Sequence, residues 1–200
     1  MSLGWPTIVH LTSNFQTNSS PKHPWPHVTL SIPINRHIIL WLHKDDAPRS
    51  PADCDRFTTA EFPDPEKDPE LYNLCKTHQI HGPCAGFDIL EGPPCLKNGK
   101  CEHSYPKDFQ RHTTFNKNFM PCYRRLKREE GGHEAQVYCR YLGREVTVTN
   151  RNVVPYNRYL LAKYKAHINV EIVSSIEVCT FQVNVMISTT LNISLINLGD

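Results

Sequence analysis

The feature that most restricts this chain is the stretch 82–107, where glycine, proline and cysteine crowd out the residues that build helices and strands. A segment of that kind makes few regular backbone hydrogen bonds, so its conformation has to be fixed by something else. The chain supplies a fastening. His81-x2-Cys84 is followed by Cys95-x5-Cys101, with His103 two residues later, giving three thiols and two imidazoles within 23 positions. Zinc takes four nitrogen or sulfur ligands in a tetrahedron, and ligands that arrive in pairs lower the entropy of assembling it. The expected zinc ligands are His81, Cys84, Cys95 and Cys101, with His103 as a replacement; free thiols in a loop are the competing reading. The remaining cysteines, Cys54, Cys75, Cys122, Cys139 and Cys179, are scattered and read as small buried apolar side chains.

Metal ligation suits these cysteines better than disulfides. The first ten residues lack a basic start and an apolar stretch, so no secretory signal and a reducing compartment are expected. No run of 18 apolar residues exists, so no membrane-spanning segment is expected. With 39% apolar residues and 16 prolines among 200, the chain suits one loop-rich domain.

Net charge is only +2, but its distribution is uneven. Residues 1–100 hold 9 Lys/Arg against 11 Asp/Glu, whereas residues 107–165 hold 13 against 5, a local excess of +8. Such a stretch can face a phosphate backbone or serve as an ordinary solvated surface.

Apolar patterning places the regular elements. Residues 1–35 show no sustained period and read as loop with one short strand at 7–11. The run His37-Ile38-Ile39-Leu40-Trp41-Leu42 suits a buried strand, ended by the polar residues 45–51. Asp68-Pro69 is a helix start, with Asp68 as cap and Pro69 in the first turn, and the helix is expected to run to about residue 78. Residues 145–149 alternate as a strand, 156–165 suit a short helix, and 168–173 suit another strand. From 181 to 198 apolar and polar residues alternate with almost no charge, again a strand period.

Several phrases occur in order. They are Arg36-His37-Ile38-Ile39-Leu40-Trp41-Leu42, Cys54-Asp55-Arg56-Phe57-Thr58-Thr59-Ala60-Glu61-Phe62-Pro63-Asp64-Pro65, Ile80-His81-Gly82-Pro83-Cys84, and Pro94-Cys95-Leu96-Lys97-Asn98-Gly99-Lys100-Cys101. Tyr105-Pro106-Lys107-Asp108-Phe109, Tyr123-Arg124-Arg125, Val153-Val154-Pro155-Tyr156-Asn157-Arg158-Tyr159-Leu160 and His167-Ile168-Asn169-Val170-Glu171 follow. The set resembles the N-terminal replication-initiator region of Helitron transposases, also called Helitron helicase-like. The resemblance covers residues 36–177, with a divergent segment, 1–35, before it and a divergent strand-like tail, 178–200, after it.

That resemblance implies an α+β fold, an antiparallel sheet with flanking helices of the rolling-circle replication-initiator type, here incomplete. It implies a nuclear protein that nicks and joins single-stranded DNA and is fused in its parent to an ATP-dependent helicase. In the family a His-x-His pair holds Mg or Mn, and tyrosines four residues apart attack phosphorus. Here His37 keeps the second histidine while Asn35 stands at the first, and the tyrosine positions fall on Phe181 and Val185. Neither of those last two side chains has an oxygen. No Gly-x4-Gly-Lys-Ser/Thr loop occurs either, so no ATP site is encoded.

The expectation is therefore a degenerate, catalytically inactive fragment. The alternatives are a non-catalytic single-stranded DNA-binding remnant, with Arg124, Arg125, Lys127, Arg128, Arg151, Arg158, Lys163 and Lys165 as its contacts, or a small zinc-binding interaction module. Tyr156, Tyr159 and Tyr164 read as packing and phosphate-contact residues rather than substitute nucleophiles.

Overall fold

A computed structural model describes residues 8–15, 34–41, 47–84, 92–118, 120–173 and 193–197, the three outlying strands by their backbone alone. The architecture is α+β, with short helices and small, mostly antiparallel sheets. Among the described residues no helix is long and apolar enough to cross a membrane.

Four strands form the main sheet. They are β1 (Ile8–Phe15), β2 (Ile34–Trp41), β9 (His167–Val173) and β10 (Ile193–Asn197), in the order β10-β2-β1-β9. β1 is antiparallel to both β2 and β9, and β10 is parallel to β2. The N-terminal segment thus differs from its reading as loop with a strand at 7–11. Eight of its residues form an internal strand, because β2 and β9 satisfy its backbone from both sides. His37 stands opposite Thr12, which stands opposite Asn169, so these three occupy one cross-strand row. Asn35, Asn14 and His167 form the next row. Strand periodicity gives β9 two unlike faces: Ile168, Val170 and Ile172 are buried, while His167, Asn169 and Glu171 are only partly covered.

The remaining elements make a second layer. Helix α1 (Pro51–Phe57) opens with a capping box in which Ser50 and Asp53 satisfy each other's exposed amides. Helix α2 (Pro69–His78) begins where Asp68-Pro69 predicts, the Asp68 carboxylate accepting from Leu71 N at 3.1 Å. Three two-residue pairs and one longer hairpin follow, β3 (Leu96–Lys97) with β4 (Lys100–Cys101), β5 (Thr114–Phe115) with β6 (Pro121–Cys122), and β7 (Glu134–Cys139) with β8 (Arg144–Thr149). Helix α3 (Arg158–Tyr164) is capped by the Asn157 side chain, which accepts from Leu160 N at 2.9 Å.

The core gathers one face of α2, the inward residues of the β7–β8 hairpin and the start of α3: Phe62, Leu71, Cys75, Val146, Val148, Val153, Tyr156 and Leu161. Tyr156 belongs to this core and not to α3. It is buried, bridges in antiparallel fashion to Thr59, and its hydroxyl donates to Glu61 O at 3.0 Å. Two polar side chains lock the layer together from within. Asn150, fully buried, accepts from Phe62 N at 2.9 Å and donates to Leu126 O at 3.0 Å. Arg125, only 4% exposed, donates through Nη1 to the carbonyls of Ala60, Asn150 and Val153.

Candidate metal centre

The cysteine-rich stretch is held at both ends by ordered backbone. His81 follows the isolated bridge between Ile80 and Val153, and His81 N donates to Asn152 O at 2.9 Å. At the far end Lys107 N donates to Arg151 O at 2.9 Å. Between them Asn98 and Gly99, both with positive φ (52° and 74°), turn the β3–β4 hairpin. A two-residue turn of that kind needs left-handed backbone at both positions, which Asn-Gly tolerates best. The hairpin sets Leu96 opposite Cys101, and Glu102 N donates to Cys95 O at 2.8 Å. Cys95 and Cys101 are thereby brought to the same end of the hairpin.

The outcome is a tetrad. One ligand atom from each of His81, Cys84, Cys95 and Cys101 lies within 4.8 Å of all the others. The Cys101 and Cys95 sulfurs stand 3.2 Å and 3.6 Å from His81 Nε2. Ligands about 2.0–2.3 Å from an ion at a tetrahedral centre are roughly 3.5–3.8 Å from one another, so only small movements separate this arrangement from a metal-binding geometry. Cys84 and Cys101 are buried, and Cys95 is the partly exposed member. This cluster could hold a metal such as zinc, and three thiols with one imidazole suit a soft or borderline cation.

Local electrostatics set the protonation of the four. Burial lowers the His81 pKa to about 4, helped by His103 and Lys107, so its ring is neutral and offers a lone pair. Burial pushes the Cys84 thiol up to about 12, and burial likewise raises Cys95. Burial also opposes ionisation of Cys101, but N–H groups of Tyr105 and His103 and the neighbouring thiols outweigh it and pull that thiol below its ordinary value. Cys101 is accordingly the thiol that ionises first. Its charge would assist the entry of a cation, whose own charge then favours deprotonation of the others.

The other site residues sit as follows. His103 is exposed, its ring edge-on to His81 at 5.5 Å between centroids, beside the tetrad but outside it. His37 and Asn35 lie on β2 in the register given above, with side chains outside the description. Phe181 and Val185 lie outside the described residues. Of the expected DNA contacts, Arg125 is interior, spent on the three carbonyls already named. Arg124, Arg158 and Lys165 are exposed but paired with Glu61, Asp68 and Glu70, at 2.8, 3.5 and 3.1 Å, and Arg128 is paired with Glu134. Lys127, Lys163 and Arg151 stand over aromatic rings, Lys127 and Arg151 over Phe109 and Lys163 over Tyr159 and Tyr164. Cys54, Cys75 and Cys139 are buried, in keeping with their reading as packing residues; Cys122 is only partly so, and Cys179 lies outside the described residues.

One feature was not legible in the sequence. A cleft of about 670 Å³ opens beside the tetrad, lined by His81, Tyr105 and Lys107 on one side and by His167, Asn169 and Glu171 of β9 on the other. Tyr105 stacks on His81 with centroids 4.3 Å apart and planes 14° apart, so the tetrad's imidazole forms part of the cleft wall. Only the alternation His167-x-Asn169-x-Glu171 hinted at a polar face, and nothing local showed what would stand opposite it. No protein-family model matches the chain, and no curated protein matches it.

Proposed function

We propose that this chain is a degenerate piece of a Helitron-type rolling-circle replication initiator, silent in DNA cleavage, whose retained chemistry is a structural zinc site. The observation that carries the zinc reading is the convergence of His81, Cys84, Cys95 and Cys101 within 4.8 Å. Four protein ligands fill a zinc tetrahedron and leave no position for a reactive water, which is the pattern of a structural ion. The descent rests on the ordered phrases across residues 36–177, and the α+β architecture with a sheet built around the His37 strand agrees with it. Nuclear localisation follows from the parent's DNA substrate.

Catalytic silence follows from missing chemistry. Phe181 and Val185 offer no oxygen for a bond to phosphorus. At the cation position the donors are one imidazole, His37, and one carboxamide, Asn35. That set does not fit the paired-imidazole Mg or Mn site of the parent, and no step is derived through such an ion.

Two measurements test this reading. Purified protein should contain one zinc per chain, and a metal-free preparation that takes up none would end the zinc assignment. Incubation with Mn and labelled single-stranded DNA should give no covalent adduct; an adduct lost on substituting a tyrosine would overturn the catalytic part. A second reading, non-catalytic binding of single-stranded DNA, is favoured by the grouping of Lys107, Lys127 and Arg151 about two aromatic rings. Affinity that falls with added salt would support it.

A further inference from the structure

The basic stretch holds many cations, yet its side chains differ sharply in what they face. Arg111, Arg124, Arg128, Arg158 and Lys165 each meet a carboxylate, and the pair charges cancel at a distance. Arg125 is interior. Lys163 lies over the exposed rings of Tyr159 and Tyr164, but the Arg158–Asp68 and Lys165–Glu70 pairs flank it on the same helix.

The third group is different. Lys107 Nζ sits 4.9 Å from the centre of the Tyr105 ring and donates to His103 O at 2.8 Å. Lys127 Nζ and the Arg151 guanidinium lie 6.0 Å and 5.4 Å from the centre of the Phe109 ring. Arg151 Nε also donates to Lys107 O, which ties the two sub-clusters together. A ring attracts a cation through its quadrupole but carries no net charge, so it positions the cation without neutralising it. The one acid near the group is Asp108, 3.8 Å from Arg151 and fully exposed at 103%, where water screens the pair.

From this we infer that Lys107, Lys127 and Arg151, held by Tyr105 and Phe109, form a contact track for the phosphodiester backbone of a single-stranded nucleic acid; the inference rests on the second reading above. Lys107 lies at the cleft, whose opposite wall is acceptor-rich. Glu171 keeps a carboxylate there, and the buried Asn169 Oδ1 has no hydrogen-bond partner. Glu171 repels phosphate, so the backbone stays with the cations while base edges point toward the acceptors. Only an unpaired strand has its amino-bearing edges free for that.

The test uses the full zinc-loaded chain, a fluorescein-labelled single strand of about 16 nucleotides and a duplex of the same sequence. Three phosphate contacts predict a log–log salt slope of about −2, since each contributes roughly −0.7 on a single strand. The variant Lys107→Gln/Lys127→Gln should reduce the slope to about −0.7, whereas Arg158→Gln/Lys165→Gln should leave it unchanged. If the first variant melts or loses zinc, Lys127→Gln alone takes its place, and its slope should weaken by about 0.7. Equal effects from the two double variants, duplex binding as tight as single-strand binding, or no binding at all would each overturn the track. Zinc content, measured on the same samples, reports on the metal site separately.

Discussion

The imidazole of His81 lies flat against the phenol of Tyr105, with ring centres 4.3 Å apart. His81 is the tetrad's only nitrogen ligand, and Tyr105 fixes the plane in which its lone pair points. Groups that orient a ligand without touching the metal are commonly worth 10–100-fold in affinity. Tyr105→Leu should therefore weaken zinc binding about tenfold, read by competition with a chromogenic chelator. Unchanged affinity would mean that the hairpin alone sets the site.

Zinc should also matter for folding. The hairpin β3–β4 has only two residue pairs, and the small cluster around Cys84 and Cys101 is all the apolar material packed there. A strong chelator should lower the melting temperature and raise amide exchange in 92–107, with less change in the Phe62–Tyr156 core. Cys101→Ser should purify with far less zinc than the parent chain. Equal zinc in both would remove Cys101 from the site.

Neighbouring arginines should behave oppositely. Arg125→Gln strands three buried carbonyls and should cost about 3 kcal/mol in a urea titration. Arg124→Gln, at an exposed pair with Glu61, should cost about 1 kcal/mol or less. Similar costs at both positions would contradict the interior placement of Arg125.

Asn150 predicts a large effect from a small change. Its side chain accepts from Phe62 N and donates to Leu126 O while fully buried. Asn150→Ala leaves both partners unsatisfied and should destabilise the chain by about 2–3 kcal/mol, again by urea titration. A loss below half a kcal/mol, flagged here as about that of a surface change, would show that water reaches these groups.

In metal-free protein, acid should act through His81. Its folded pKa, about 4, lies below the ordinary 6.5, so the unfolded chain takes up a proton first. Stability from the neutral ring is fully present above pH 6.5 and falls as the pH drops toward about 4, below which both states carry the proton. His81→Gln should flatten this part of the stability curve. An unaltered curve would locate the acid sensitivity in another group.

Several elements were legible because their signals are local. Asp68-Pro69 starts α2 where expected, and the alternation near 145–149 became β8. The ligand set His81, Cys84, Cys95 and Cys101 also followed from residue type and clustering. Two local signals were present but not read: the capping box Ser50-x-x-Asp53, taken as the polar end of a strand, and the hairpin turn Asn98-Gly99. β7 gave less to read, since Glu134–Cys139 mixes small, polar and aromatic residues and becomes a strand by pairing with β8.

The amino-acid order by itself determined which chemistry is present: four metal-ligating side chains in one loop, a basic middle, and no oxygen at Phe181 or Val185. Tertiary structure alone decided which of those groups face one another. It buried Arg125 while leaving Lys127 at the surface, took Tyr156 into the core, and stood Tyr105 against His81 at the mouth of a cleft closed by a strand more than 60 residues further on. The physical reason is that charge, thiol and hydroxyl belong to a residue, whereas burial, ion pairing and ring stacking belong to pairs of distant segments, and no local pattern encodes those pairs.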